Sequence, residues 1–167
     1  MTTTKRIGGT TEHIGRRELR SEPLKSIVRT APASIQAGST IGAAIVAMQQ
    51  QEGDSLLILV GDRLRGILTE RDIVLKVLAR GVDPEALVDG FMTPDPDTLT
   101  PDSSLVDALE LMDRRGYRSV PLVDRDGHIA GVVRQGDILA FVAEAFPQEI
   151  LNLPPRPDQV LDRPEGG

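Results

Sequence analysis

Apolar residues recur along this chain twice, in the same order. Ile41, Ala44, Ile45 and Met48 fall at i, i+3, i+4 and i+7, which predicts the buried face of a helix. Leu105, Ala108, Leu109 and Met112 repeat that spacing 64 residues later. Ser39 or Thr40 precedes the first run, and Ser103 or Ser104 the second. These residue types cap helices, because a side-chain oxygen accepts from a backbone N–H that has no partner inside the helix. Each helix is followed by a short, wholly apolar stretch, 56–60 or 120–123, as expected of a strand buried on both faces. A tight turn comes next, Gly61-Asp62-Arg63 or Arg125-Asp126-Gly127. A second strand then runs to Leu68 or Val133, so each pair reads as a hairpin. A closing helix begins near Glu70 or Gln135. Its apolar positions are Ile73, Val74, Val77 and Leu78 in one copy, and Ile138, Leu139 and Val142 in the other.

With short opening strands near Ser34-Ile35 and Thr98-Leu99, each copy reads strand, helix, strand, strand, helix. The displacement grows to 65 at Gly66 and Gly131, because the second hairpin loop is one residue longer. A unit of about 60 residues buries little surface alone, whereas two related by a pseudo-twofold axis cover each other's sheets. The expected fold is therefore α+β, a sandwich of two such units, each a short three-stranded sheet with two helices. The expected boundaries are a polar arm over 1–23, units over 24–81 and 95–147, a linker over 82–94 and a Pro-rich, extended or disordered tail over 148–167.

Composition narrows the chemistry. The net charge is −6 and aromatics are 2%, so neither a phosphate-backbone footprint nor a base-stacking platform is expected, and nucleic acid is not an expected partner. The basic residues of the arm (Lys5, Arg6, Arg16, Arg17, Arg20 and Lys25) read as a solvated face. With no cysteine, the chain has no disulfide, thiolate zinc site or cysteine nucleophile. His13 and His128 stand apart, without a second histidine at ligand spacing. The densest apolar run, 56–60, is too short to span a bilayer, and no signal peptide is evident near Met1. A soluble cytoplasmic protein with no membrane partner is expected. Phosphate-loop and His-Glu-x-x-His motifs are missing. Asp95-Pro96-Asp97-Thr98 reads as a proline-flanked turn, and Asp124-Arg125-Asp126-Gly127 as a hairpin turn rather than a calcium loop.

Gly66-Ile67-Leu68-Thr69-Glu70-Arg71-Asp72-Ile73 and Gly131-Val132-Val133-Arg134-Gln135-Gly136-Asp137-Ile138 resemble CBS motifs, as do Val120-Pro121-Leu122-Val123-Asp124 and Phe91-Met92-Thr93-Pro94. The resemblance covers about residues 24–146, as a tandem pair, or Bateman module. It implies a non-catalytic regulatory module that binds an adenosine-containing ligand (AMP, ADP, ATP or S-adenosylmethionine) between the copies. It further implies a homodimer that signals to a target protein the sequence does not name. An exposed face of the closing helices is the dimer surface by the same resemblance, with Ile73, Val77 and Val142 as candidates. No required cofactor and no metal are implied.

The resemblance also places two clefts. The first combines Ile67, Thr69 and Asp72 of one copy with Thr93, Asp97, Thr98, Arg118, Val120 and Pro121. A carboxylate such as Asp72 accepts two hydrogen bonds from a ribose diol, and a helix start favours phosphate. Arg118 suits bidentate phosphate binding. Thr69 and Asp72 equally form a capping box, so both roles stay open. The second cleft combines Val132, Arg134 and Asp137 with Ala33, Ser34, Leu56 and Leu57. It departs from the pattern: Arg134 stands where Thr or Ser is expected, and Asp54 occupies the place of Arg118. It is expected to bind more weakly. Two other readings stay open, an interaction or dimerisation module with no physiological nucleotide and an enzyme acting on a nucleotide. The latter lacks a nucleophile–base pair or metal cluster.

Overall fold

The computed structural model describes residues 20–29, 31–51 and 53–145. Most of the basic arm and the Pro-rich tail lie outside these residues. The first apolar repeat forms strand β1 (Ser34–Gln36), helix α1 (Ile41–Gln50) and the hairpin β2 (Ser55–Val60) and β3 (Arg63–Thr69). Helix α2 closes it. Its first turn, Glu70–Asp72, is α-helical, Ile73–Val77 is π-helical and Leu78–Arg80 is a 3-10 turn. Strand β4 (Thr93–Pro94) follows, then helix α3 (Leu105–Arg115), the hairpin β5 (Ser119–Val123) and β6 (Ile129–Arg134), and helix α4 (Gln135–Ala145).

The first sheet has the order β1-β2-β3-β4, with β1 parallel to β2 and the other pairs antiparallel. The second is the β5–β6 hairpin, to which Leu99 adds a single parallel bridge at Leu122. The sheets therefore differ in strand number. Thr93–Pro94, expected within the linker, pairs with Gly66 and Ile67 as the fourth strand of the first.

Capping follows the expected residue types. The Thr40 side chain accepts from the Ala43 N–H at 3.2 Å, and Ser104 accepts from the Asp107 N–H at 3.2 Å. Asp107 returns the bond to the Ser104 N–H, completing a capping box.

Each copy lends its leading segment to the other. Leu24 N–H donates to Ser103 O and Leu105 N–H to Glu22 O, so the 3-10 turn at Leu24–Ser26 docks on the start of α3. Sixty-four residues on, the 3-10 turn at Val88–Gly90 docks on α1: Val88 N–H donates to Ser39 O and Ile41 N–H to Ala86 O. The core divides accordingly. Leu24 and Ile27 pack with Leu105, Ala108, Leu111 and Met112, whereas Val88 packs with Ile41, Ala44, Met48 and Ile73. A smaller cluster, Leu57, Ile67 and Val132, joins the two hairpins.

Glycines at the same place in each copy admit these exchanged segments. A Cβ on Gly66 would overlap Met92 Sδ and lie 3.0 Å from the Thr93 carbonyl oxygen, and one on Gly131 would lie 3.0 Å from Val28 Cγ1.

The expected apolar faces need three corrections. Leu109 is 45% exposed, and Leu111 takes its place in the core. Leu139 is exposed as well. On α2, Ile73 and Val77 face the core, whereas Val74, Leu75 and Leu78 are more than half exposed. Ile73 and Val77 thus cannot form a dimer surface, and Val142 is half-buried against the second core. The π turn contributes to this pattern: Leu78 N–H bonds back to Ile73 O, so the turn holds one residue more than an α turn.

Candidate functional site

Thr69 ends β3 and starts α2 at once. Its side chain accepts from the Asp72 N–H at 3.2 Å, while Asp72 Oδ2 accepts from the Thr69 N–H at 3.0 Å and from Thr69 Oγ1 at 2.7 Å. The other oxygen, Oδ1, meets Lys76 Nζ at 2.8 Å, and Lys76 also donates to the Phe91 carbonyl. Burial pushes the Asp72 carboxyl up, but the hydrogen bonds from Lys76 and Thr69, with the Lys76 charge, hold it below its ordinary value. Asp72 is therefore an anchored anion. A carboxylate offers about four lone-pair positions. Two on Oδ2 are taken by Thr69, and one on Oδ1 by a lysine ammonium that a ligand hydroxyl can displace or join.

The opposite wall comes from the α3–β5 connection. Gly116 adopts φ 68°, a left-handed conformation that ends α3 and turns the chain sharply. Tyr117, Arg118 and Ser119 then line the wall. Tyr117 Oη donates to Asp97 Oδ2 at 3.1 Å, and Arg115 Nε contacts the same oxygen at 3.1 Å. Burial and this hydrogen bond both raise the Tyr117 phenol above its ordinary value.

Between the walls lies a cleft of about 850 Å³. It brings together Ile67, Thr69, Asp72, Thr93, Asp97, Arg118 and Pro121 of the residues expected in the first cleft. Thr98 and Val120 do not line it. Val120 is fully buried in the second core, and Thr98 lies exposed beside Asp97. Asp54, expected at the second cleft, lines this one, and sequence reasoning missed Glu70, Arg71, Val74, Leu75, Pro96, Arg115, Gly116, Tyr117 and Ser119. Glu70 and Arg71 sit inside the quoted motif, so their position was the available signal. The Asp97–Tyr117–Arg115 contact joins segments too far apart in sequence for spacing to reveal it.

Charge pairing leaves a definite remainder. Asp72 is matched by Lys76, Asp97 by Arg115 and Asp54 by Arg134. Among the described residues lining the cleft, Arg71 and Arg118 have no ion-pair partner, and Glu70 is the one acidic residue without one. Two free guanidiniums against one free carboxylate make the cleft locally attractive to an anion.

The residues expected in the second cleft come together differently. Ala33, Leu56, Leu57 and Val132 are each 2% exposed or less, so their side chains belong to the core. Ser34 is exposed at the start of β1. Asp137 Oδ2 accepts from the Arg134 N–H at 3.1 Å, the half of a capping box that does not need a hydroxyl. The Arg134 side chain is largely buried and reaches Asp54, with Nε 3.5 Å from Oδ1. That Nε makes no hydrogen bond, so the contact is Coulombic rather than directional.

The pseudo-twofold axis is marked by an atom pair. Ser119 Oγ donates to Ser55 Oγ at 3.1 Å, two buried residues 64 apart. The neighbouring main chain repeats the symmetry: Glu70 N–H donates to Asp54 O, and Gln135 N–H to Arg118 O. Thr69 facing Arg118 on one side thus corresponds to Arg134 facing Asp54 on the other.

Comparison with known proteins gives a consistent picture. The family model described as CBS domain matches residues 24–79 and 88–144. CBS domain-containing protein CBSCBSPB2 of Arabidopsis thaliana is 33% identical over 99 residues, covering 59% of this chain but only 18% of the plant protein. The chain therefore spans under a fifth of that relative's length. Among solved structures, CBS domain protein PAE2072 from Pyrobaculum aerophilum, complexed with AMP, superposes with a TM-score of 0.67 at 20% identity, covering 74% of this chain and 99% of that one. The CBS domain pair of protein MJ0100, in complex with 5′-methylthioadenosine and S-adenosyl-L-methionine, gives a TM-score of 0.66 at 24% identity, covering 72% of this chain and 99% of its own.

Proposed function

The chain belongs to the CBS domain family, and from that premise we propose that it is a non-catalytic regulatory module holding a phosphorylated adenosine nucleotide in the cleft between Thr69–Asp72 and Arg118. The observation that carries this reading is the unpaired Arg71 and Arg118 on the two walls of a cleft that also presents an anchored carboxylate. Asp72 takes the ribose hydroxyls. Ile67, Val74, Leu75 and Pro121 supply apolar surface for the base. Arg71 and Arg118 take the phosphates, as guanidiniums do when they meet phosphate with paired donors.

The same charge balance chooses among ligands. S-adenosylmethionine carries a sulfonium and an ammonium against a single carboxylate, so it is net positive and gains less from two free guanidiniums than a phosphate does. AMP, ADP and ATP bring phosphate to them. Family neighbours in complex with AMP and with S-adenosyl-L-methionine support the adenosine part of the reading, and the charges of this cleft support the phosphate part.

The test is thermal unfolding of the protein with AMP, ADP, ATP, S-adenosylmethionine, NAD and cyclic dinucleotides in turn. A ligand that binds only the native state stabilises it by ~2.7 kcal/mol at a hundredfold excess over its dissociation constant. A shift with an adenine nucleotide and a smaller or absent one with S-adenosylmethionine is expected. No shift with any of them would favour a module that works through its surfaces alone.

Signalling requires that the two states of the module differ in affinity for the nucleotide. Val74 and Leu75 offer a route, because they line the cleft and are also exposed on α2 beside Leu78. The exposed apolar residues of the closing helices, Val74, Leu75, Leu78 and Leu139, form the dimer surface in this reading, and a nucleotide at Val74 and Leu75 biases it directly.

A further inference from the structure

Arg134 stands where the first copy has Thr69, yet its guanidinium does not face solvent as a surface arginine does. The side chain is 17% exposed and its Nη2 would lie 3.9 Å from a Cβ on Gly53, just before β2. Its partner, Asp54, is 40% exposed and belongs to the lining of the first cleft. Asp54 also accepts from Ser55 Oγ at 3.2 Å, beside the Ser55–Ser119 pair on the pseudo-twofold axis. One carboxylate thus touches both sides of the molecule. Without a counter-charge it would stand among the residues proposed to receive phosphate.

We infer that Arg134 is a built-in occupant of the second cleft, which closes that cleft to nucleotide and holds the Asp54 charge neutralised so that the first cleft can accept an anion. Arg134 touches no nucleotide; it is a positioning residue acting through Asp54. Three observations agree on this. Arg134 cannot supply the hydroxyl that Thr69 supplies, and only the Asp137 half of the capping box forms. The remaining expected walls, Ala33, Leu56, Leu57 and Val132, are buried. The Nε lacks a hydrogen bond, so the guanidinium is held at Asp54 by charge. Two unit charges a few ångströms apart near a protein surface interact strongly enough to govern the approach of a third.

This inference rests on the nucleotide reading above, and calorimetric titration of the full chain with ATP, and separately with adenosine, tests it. Wild-type protein takes up one ATP per chain. Arg134→Ala exposes the Asp54 carboxylate and weakens ATP binding about tenfold, with little effect on adenosine, which has no phosphate to repel. Adding Asp54→Asn to Arg134→Ala recovers the ATP affinity. Asp54→Asn alone, which leaves the arginine unpaired, tightens ATP binding.

Two ATP molecules per wild-type chain would overturn the inference. Equal losses for ATP and adenosine, or a double variant as weak as Arg134→Ala, would do so too. If Arg134→Ala does not fold, the single Asp54→Asn variant decides: weaker ATP binding there sinks the idea. If wild-type protein takes up no ATP, the nucleotide reading fails. The clamp is then judged by nucleotide-free unfolding midpoints of the two single variants and the double. Non-additive shifts keep the Arg134–Asp54 coupling, and additive shifts remove it.

Discussion

Arg118 is held by its main chain while its side chain stays free. Its main-chain carbonyl is fixed by the Gln135 N–H at 2.9 Å, while its guanidinium has no ion-pair partner among the described residues. Arg118→Ala is therefore expected to cost little stability. It should weaken ATP binding by about 1.5–3 kcal/mol, the range for a hydrogen bond to a charged group, and leave adenosine nearly unaffected. Parallel titrations with ATP and adenosine read this directly, and equal losses for both would remove Arg118 from the phosphate site. The residues that make this cleft were legible in the sequence to different degrees. Thr69, Asp72 and Arg118 stood out because each occupies a repeat position with a distinct chemistry. Tyr117 and Arg115 did not, because their partner Asp97 is 20 and 18 residues away and neither contact follows a helix or strand period. The family resemblance puts Val120 in the cleft. Strand alternation instead sends it to the core, as its 0% exposure records.

At the scale of elements, the exchanged leading segments explain glycines that periodicity alone leaves unaccounted for. Gly66 lies opposite Pro94 in the β3–β4 pair, and a side chain there would press on Met92 and the Thr93 carbonyl. Gly66→Ala is expected to destabilise the fold by about 1–3 kcal/mol, as other overpacking substitutions do. Chemical denaturation measures it, and an unchanged midpoint would mean that β4 can move away freely. The repeat was readable because α1 and α3 preserve the i, i+3, i+7 pattern in Ile41, Ala44 and Met48, and in Leu105, Ala108 and Met112. Its leading part was harder to read. Leu24 corresponds to Val88, and Ile27 to Phe91, but each packs on the other copy, so no local period marks them. The closing helix α2 departs from its sequence pattern for a different reason. Five apolar residues in the six positions 73–78 suggest one wide buried face. The first core accommodates only the row of Ile73 and Val77, and the π turn places Leu78 outside it.

For the whole molecule, two copies whose equivalent serines meet on one axis form a single unit with two related but unequal sides. One side has Thr69, Asp72 and Arg118 around an open cleft; the other has Arg134 and Asp54 locked together. Val74, Leu75, Leu78 and Leu139 expose apolar surface on the closing helices, and assembly is expected to depend on it. Leu78 and Leu139 are 65% and 69% exposed and line no part of the cleft. Leu78→Asp with Leu139→Asp is expected to convert a dimer to a monomer in sedimentation while nucleotide uptake persists. A wild-type protein that sediments as a monomer would contradict the proposed dimer surface.

In this reading nucleotide occupies the Thr69–Asp72 side and not the Arg134–Asp137 side. The most direct measurement is a calorimetric titration of ATP into Asp72→Ala and Asp137→Ala proteins, alongside the wild type. Asp72→Ala is expected to abolish or severely weaken uptake, and Asp137→Ala to bind as the wild type does. Unchanged affinity in Asp72→Ala together with loss in Asp137→Ala would place the ligand on the opposite side of the axis and contradict it.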